Sequence, residues 1–283
     1  INTSILCSDK TNACRLPGSS VVIRSLYTPV QPAVIGTNGE VSYIELPPDA
    51  QLQDFIYCYW NLKTIKPLDD IYNYRVVADG CIDIVFNCTN YDETYIMGYC
   101  NSFVKIGIDK EFNYFGIRFL PGIFPSLFNI DASDYERLNT VQPCIYNVIQ
   151  QSKDRCLCLQ DLCDELNIYF IKHINKIDKP FDNRFFCALE TILKSKGSII
   201  IEKDLNDGIS SRHLQRLFNF YIGDTAKFFC RIVRFQNLLK IDPSIKLIKS
   251  EKSYYDFGYY DQTHFIKEFK LFYGKTPSKI AAE

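Results

Sequence analysis

Hydrophobic and polar positions change period along this chain. Between residues 41 and 119, short runs rich in β-branched and aromatic residues (74–77, 82–86, 95–97, 103–108 and 114–119) are separated by the turn-forming stretches Asp79-Gly80, 87–92 and Asp109-Lys110, which predicts a mostly-β region. Ahead of these runs, 52–61 contains Tyr57-Cys-Tyr-Trp60 and fits either a short helix or a strand. Trp60, the one tryptophan of the chain, reads as a core anchor, because large aromatics dominate burial. From 142 to 176 the apolar residues Ile145, Val148, Ile149, Leu157, Leu162, Leu166 and Phe170 follow helical spacing and lead toward a linker at 178–182.

Near the end a helical pattern occurs twice, 51 positions apart. The first copy runs from Ser210 through His213, Leu214, Phe218 and Gly223 to Thr225, and the second from Asp261 through His264, Phe265, Phe269 and Gly274 to Thr276. Ser210 and Asp261 suit the N-cap, where a side-chain oxygen accepts from the first turn, and Gly223 and Gly274 suit the end of the element. Leu214, Leu217, Phe218 and Tyr221 recur at i, i+3, i+4, i+7 and make an inward stripe. The outward stripe is Arg212, Gln215, Arg216 and Asn219. Its counterpart in the second copy is Thr263, Ile266, Lys267 and Lys270, with Gln262 beside it. Arg and Lys neutralise phosphates, and Arg, Lys and Gln can hold guanine or adenine edges in the major groove. One charged stripe is normally only a solvated helix face; its recurrence shifts the reading toward nucleic acid.

Between the copies, 225–240 carries Phe228, Phe229, Ile232, Val233, Phe235, Leu238 and Leu239 at helical spacing without internal Gly or Pro, and Pro243 follows as a stop. A helix of about 16 residues is roughly 24 Å long and can hold two probes at a fixed separation.

The region from about Phe185 to Ala281 resembles the DNA-binding domain of the AraC/XylS family of bacterial transcription regulators. The resemblance rests on Ile209-Ser-Ser-Arg-His-Leu-Gln-Arg-Leu-Phe218, Arg231-Ile-Val-Arg-Phe235, Phe257-Gly-Tyr-Tyr-Asp-Gln-Thr-His-Phe265 and Gly274-Lys-Thr-Pro-Ser278. It implies two helix-turn-helix units joined by a long helix, with Arg212, Gln215 and Arg216 facing bases of one major-groove segment and Gln262, Thr263 and Lys267 facing the next. Two departures stand out. Ser253 and Tyr254 replace the usual aliphatic–alanine pair of the second scaffold helix, and the first scaffold, 200–205, has no clear alanine and runs into a turn-like 206–208.

A weaker resemblance covers residues 44 to 138. Leu46-Pro-Pro-Asp49, Tyr57-x-Tyr-Trp60, Asp79-Gly80-Cys81-x-Asp83-x-x-Phe86 and the run Gly116 to Gly122 look like the amino-terminal domain that precedes such DNA-binding domains in some regulators of the family. It implies a small β-barrel or β-sandwich that senses an effector or mediates dimerisation. The expected fold is α+β: a β-rich regulatory domain over 1–140, a helical connector and linker over 141–183, and an all-α double helix-turn-helix domain over 184–283. The implied partners are double-stranded promoter DNA, a small-molecule effector, a second copy of the chain, and RNA polymerase if the protein activates.

Composition fits this division. The 283 residues allow two domains or one large one, and 47% hydrophobic residues can build real cores. From Arg184 onward the chain has 17 Lys/Arg against 11 Asp/Glu, whereas the residues before it have 15 against 22. A basic back and an acidic front suit a nucleic-acid module joined to something else. No apolar run reaches the length of a membrane span, and Asp9 and Lys10 interrupt what an export signal would need, so a cytoplasmic protein is expected.

Cys156, Cys158 and Cys163, in a run read as helix over 156–166, match no common zinc spacing and read as small hydrophobes, so no metal or cofactor is expected. His213 and His264 read as structural imidazoles without acidic or cysteine companions nearby. Asp79 and Asp83 can be read as an acid/base pair, but Asp79 suits a turn and Asp83 is expected to alternate outward on its strand; Arg118 either pairs inside the domain, the favoured reading, or contacts an anionic ligand. No complete catalytic constellation accompanies them, so no enzyme is expected. The rival to a regulator is an effector-binding or cysteine-based redox or metal sensor whose helix pair no longer reads DNA.

Overall fold

A computed structural model of the chain describes residues 22–32, 39–90, 93–134, 145, 147–149, 158–177, 181–205, 208–241 and 253–280. After a short helix, α1 (Val22–Leu26), the described residues form seven strands: β1 (Val41–Leu46), β2 (Ile56–Thr64), β3 (Tyr72–Val76), β4 (Ile82–Asn87), β5 (Thr94–Met97), β6 (Val104–Ile108) and β7 (Asn113–Phe119). Five of them form an antiparallel sheet in the order β1-β2-β7-β4-β5, and β3 and β6 pair antiparallel as a second, two-stranded sheet. The fold is therefore α+β, with an antiparallel β-rich region ahead of a helical one.

Both faces of the large sheet are covered, and its strands alternate between two buried environments. Tyr59, Ile84, Phe86, Phe115, Ile117 and Phe119 belong to the core shared with the helices, while Cys58, Trp60, Leu62 and Val85 meet Tyr74, Val76 and Ile108 of the small sheet. This double burial corrects the expectation for Asp83. Its side chain points inward between the sheets and is buried, because a strand covered on both faces has no solvent side. Arg118 stands directly opposite on β7 and donates from Nε (3.1 Å) and Nη2 (2.9 Å) to the Asp83 carboxylate, and Trp60 Nε1 donates to it as well (2.9 Å). Burial works against the guanidinium charge, but Asp83 and Asp79 more than offset it and hold Arg118 protonated. Asp79 does form the expected turn: its carboxylate accepts from Cys81 N–H, and Gly80 follows at φ +71°.

The tract at 52–61 resolves into a one-turn 3-10 helix (Ala50–Leu52) and strand β2 from Ile56. After the sheet come α2 (Ile123–Phe128), α3 (Leu159–Ile174), α4 (Asn183–Lys194), α5 (Ile201–Asp204), α6 (Ser211–Ile222), α7 (Ala226–Ile241), a 3-10 helix (Ser253–Phe257), α8 (Gln262–Tyr273) and α9 (Pro277–Ile280). The helix expected over 156–166 begins at Leu159, with Cys158 as its N-cap; Cys156 lies outside the described residues. Of the helical tract expected from 142, positions 145 and 147–149 are helical, and 142–144, 146 and 150–157 lie outside the description. The end of the 178–182 linker is packed, since Phe181 is buried and Asp182 caps α4.

A continuous core joins the β-rich and helical regions. Gly122, at φ +76°, brings the backbone against α4 so closely that an added Cβ would lie 2.4 Å from the Phe185 ring. Gln236, on the buried side of α7, accepts from Val30 N–H (2.7 Å) and donates to Ala78 O (2.8 Å), so a polar side chain inside the core is satisfied by main chain from the front of the protein. Among the described residues no helix is long and apolar enough to cross a membrane.

Candidate nucleic-acid interface

The repeated unit folds as its spacing predicts. The Ser210 hydroxyl accepts from His213 N–H (3.3 Å) and the Asp261 carboxylate from His264 N–H (2.7 Å), starting α6 and α8; Gly223 (φ 95°) and Gly274 (φ 86°) end them in the left-handed region. The apolar stripes face inward through Leu214, Leu217 and Phe218 in α6, and Phe265, Phe269 and Phe272 in α8. Between them runs α7, packing Phe229 near Phe218 on one side and Phe235 against Phe269 and Phe272 on the other. Arg212, Gln215, Arg216, Gln262, Thr263 and Lys267 are all exposed.

Among the described residues the four-residue α5 stands ahead of α6 and a 3-10 turn ahead of α8, with 206–207 and 242–252 outside the description. Tyr254 is accommodated by turning inward, where its ring stacks on Phe265 at 5.5 Å and 6°. One groove of about 740 Å³ is bordered by Ser211 and Gln215 from α6, His264 from α8, Lys227, Arg231 and Arg234 from α7 between them, and Glu202 from α5. The outward stripe of α6 also borders a depression of about 810 Å³ whose opposite side carries Asp131 and Ser133, from the segment that follows α2.

One residue of the site was hidden by treating the second copy as a plain echo of the first. Where α6 has the inward Leu217, the residue 51 positions on is Glu268, buried on the core side of α8. Arg231 Nε donates to its carboxylate at 2.7 Å, Arg234 lies at 3.7 Å, and His264 Nε2 sits 3.0 Å from its other oxygen. The expectation that His264 lacks an acidic companion is thereby corrected. Glu268 joins α7 to α8 and neutralises cations that flank the groove. His213 is also structural, with Nδ1 2.9 Å from Arg216 Nη2. Among the described residues no cluster of three or more His, Cys, Asp or Glu is placed to hold a metal.

A second, apolar cavity of about 380 Å³ lies between the two sheets. Trp60, Leu62, Tyr74, Val85, Met97 and Ile106 are among the residues that line it, and none of its described lining residues is charged.

Residues 44–140 match the model of a family described as a domain of unknown function, DUF6597. This is the stretch that carries the amino-terminal motifs. No curated protein matches the sequence. Among solved structures the chain is similar to ToxT from Vibrio cholerae O395 (12% identity, 86% of this chain and 96% of that one, TM-score 0.37). It is also similar to an apo form of a ToxT variant from Vibrio cholerae strain SCE256 (14% identity, the same coverage, TM-score 0.34). Likeness this remote carries no argument about function.

Proposed function

We propose that the chain is a sequence-specific DNA-binding transcription regulator in which α6 and α8 enter successive major-groove segments and the β-rich region acts as the sensing or dimerisation part. The observation that carries this reading is the pair of equivalently capped helices, one on each side of α7, that each present an exposed cationic and amide stripe. In this reading Arg212, Gln215 and Arg216 contact one segment and Gln262, Thr263 and Lys267 the next, while Lys227 between them faces phosphate. The apolar cavity between the sheets is the candidate effector site, its size falling within the range of ordinary ligand pockets. The protein is not an enzyme, takes no cofactor, and works with promoter DNA, an effector, a second copy of itself and, if it activates, RNA polymerase.

Competition binding against genomic fragments at several salt concentrations tests the proposal. A regulator binds selected fragments at nanomolar concentration, with affinity falling steeply as salt rises and a ratio over bulk DNA of about a thousandfold or more. Uniform micromolar binding overturns it and favours the sensor reading, which has the inter-sheet cavity in its support. In a cysteine-based version of that sensor Cys163 and Cys230 would be poor members, since burial pushes their thiols up to about 12, whereas Cys158 and Cys187 are exposed.

A further inference from the structure

The connection between β5 and β6, residues 98–103, leaves the large sheet and enters the small one at the cavity between them. Tyr95 and Met97 line the cavity on one side of this connection, and Ile106 and Ile108 on the other. The two strands are weakly tethered: β5 is the sheet edge, paired only with β4, and β6 is paired only with β3. Between its ends the connection holds the same place in both copies of the helical repeat. The Tyr99 hydroxyl donates to Asp224 (3.4 Å), its ring lies edge-on to Phe228 (6.2 Å), and its Cβ is 3.3 Å from where a Cβ on Gly223 would sit. Four residues on, Phe103 N–H donates to Leu271 O (3.1 Å), and its ring covers Gly274 so closely that a Cβ there would lie 2.6 Å away. Gly223 ends α6 and Gly274 ends α8. One six-residue strap therefore grips the C-terminal cap of each helix, with one root in each sheet.

We propose that the 98–103 strap sets the placement of α6 relative to α8, and that a neutral, apolar molecule entering the inter-sheet cavity changes that placement by spreading the strap's two roots. A neutral guest is specified because none of the described residues lining the cavity is charged: they are tyrosines, a tryptophan and hydrocarbon side chains. Close-packed interfaces transmit such a change because they shift between discrete arrangements rather than deform smoothly. Its effect on DNA rests on the function proposed above, but the mechanical link does not.

The test uses the full chain with nitroxides on non-natural residues at Asn219 and Lys270, equivalent exposed positions of α6 and α8, and measures the distance between them by pulsed electron resonance. Saturating N-phenyl-1-naphthylamine, a neutral fluorescent probe, is expected to shift the distance by about 2 Å or more. The cavity-filling V85F variant is expected to shift it without probe. With the strap released by Y99A and F103A, the probe still binds with its usual fluorescence gain and the shift disappears. In parallel, the affinity ratio between duplexes whose half-sites differ in spacing by one base pair changes about tenfold with probe, in the intact strap only. Absence of probe binding, no shift in either the probe-bound protein or V85F, or an equal shift in the released strap overturns the proposal. A strap-dependent shift without selective DNA binding upholds the link and overturns the regulator reading alone.

Discussion

Replacing Glu268 by glutamine removes one negative charge and almost no volume. The carboxylate is buried between Arg231, Arg234 and His264, so the amide would turn a donor toward two guanidinium groups and leave them without a counter-charge. Breaking a buried ion pair from one side costs about 3–5 kcal/mol. Here water reaches the cations, whose side chains are 29% exposed for Arg231 and 17% for Arg234, which places the cost at the lower end, about 3 kcal/mol. For a chain of this size that is a fall in Tm of about 6 °C. Urea unfolding followed by circular dichroism measures it, with an unchanged m-value required so that the loss belongs to the folded state. The companion variant E268L/R231M replaces the pair by apolar side chains of similar size and restores the Leu pattern of the first copy. It is expected to return to within about 1 kcal/mol of the starting protein, because the penalty comes from an uncompensated charge rather than a lost contact. If E268Q unfolds within about 0.5 kcal/mol of the parent, the idea that Glu268 holds α8 against α7 is wrong.

Four further outcomes follow. Changing Arg216 to alanine is expected to cost about 1–3 kcal/mol on the preferred duplex and to relax selectivity at one base pair, measured by competition against single-base variants; equal loss on every sequence would make it a phosphate contact. Removing the caps by S210A or D261A should each cost about 1 kcal/mol in urea unfolding. The hydrogen bond from the Arg184 side chain, working against partial burial, holds the Asp182 carboxyl below its ordinary value. Its contribution to stability is thus complete above about pH 4 and is lost as pH falls through the lower folded value, an acid-side loss that D182N should abolish in an acid titration of unfolding. Finally, Cys163 and Cys230 should resist alkylation in the native protein and react on unfolding, as isotope-coded mass spectrometry would read.

The repeat, its caps and the long helix between the copies were readable because each rests on local rules: a side-chain oxygen at a helix start, a glycine where φ turns positive, apolar residues at 3.6 spacing. The strands were readable for the same reason. What the sequence hid depends on what covers a face from elsewhere. Asp83 looked outward because alternation alone assumes a solvent side; the large sheet itself sets Arg118 and Trp60 beside it, and the small sheet folding over that face is what buries the group. Glu268 was within reach, since shifting the inward stripe by 51 lands on it, but the polar character of glutamate masked the buried position. Asp131 and the strap at 98–103 could not be found by pattern at all, because they meet α6 and α8 only through the tertiary fold, far away along the chain.

Gln236 carries a consequence for anyone dissecting this molecule. Its amide is satisfied by Val30 and Ala78, far upstream, on the face of the strut that also buries Phe229 beneath Gly80. A fragment begun near Arg184 would face solvent with an orphaned amide and bare aromatic rings, and its misbehaviour in a tube would say nothing about its affinity for DNA. Grafting this back half onto a foreign sensor would fail for the same reason, unless the graft brings along the residues that close over the strut.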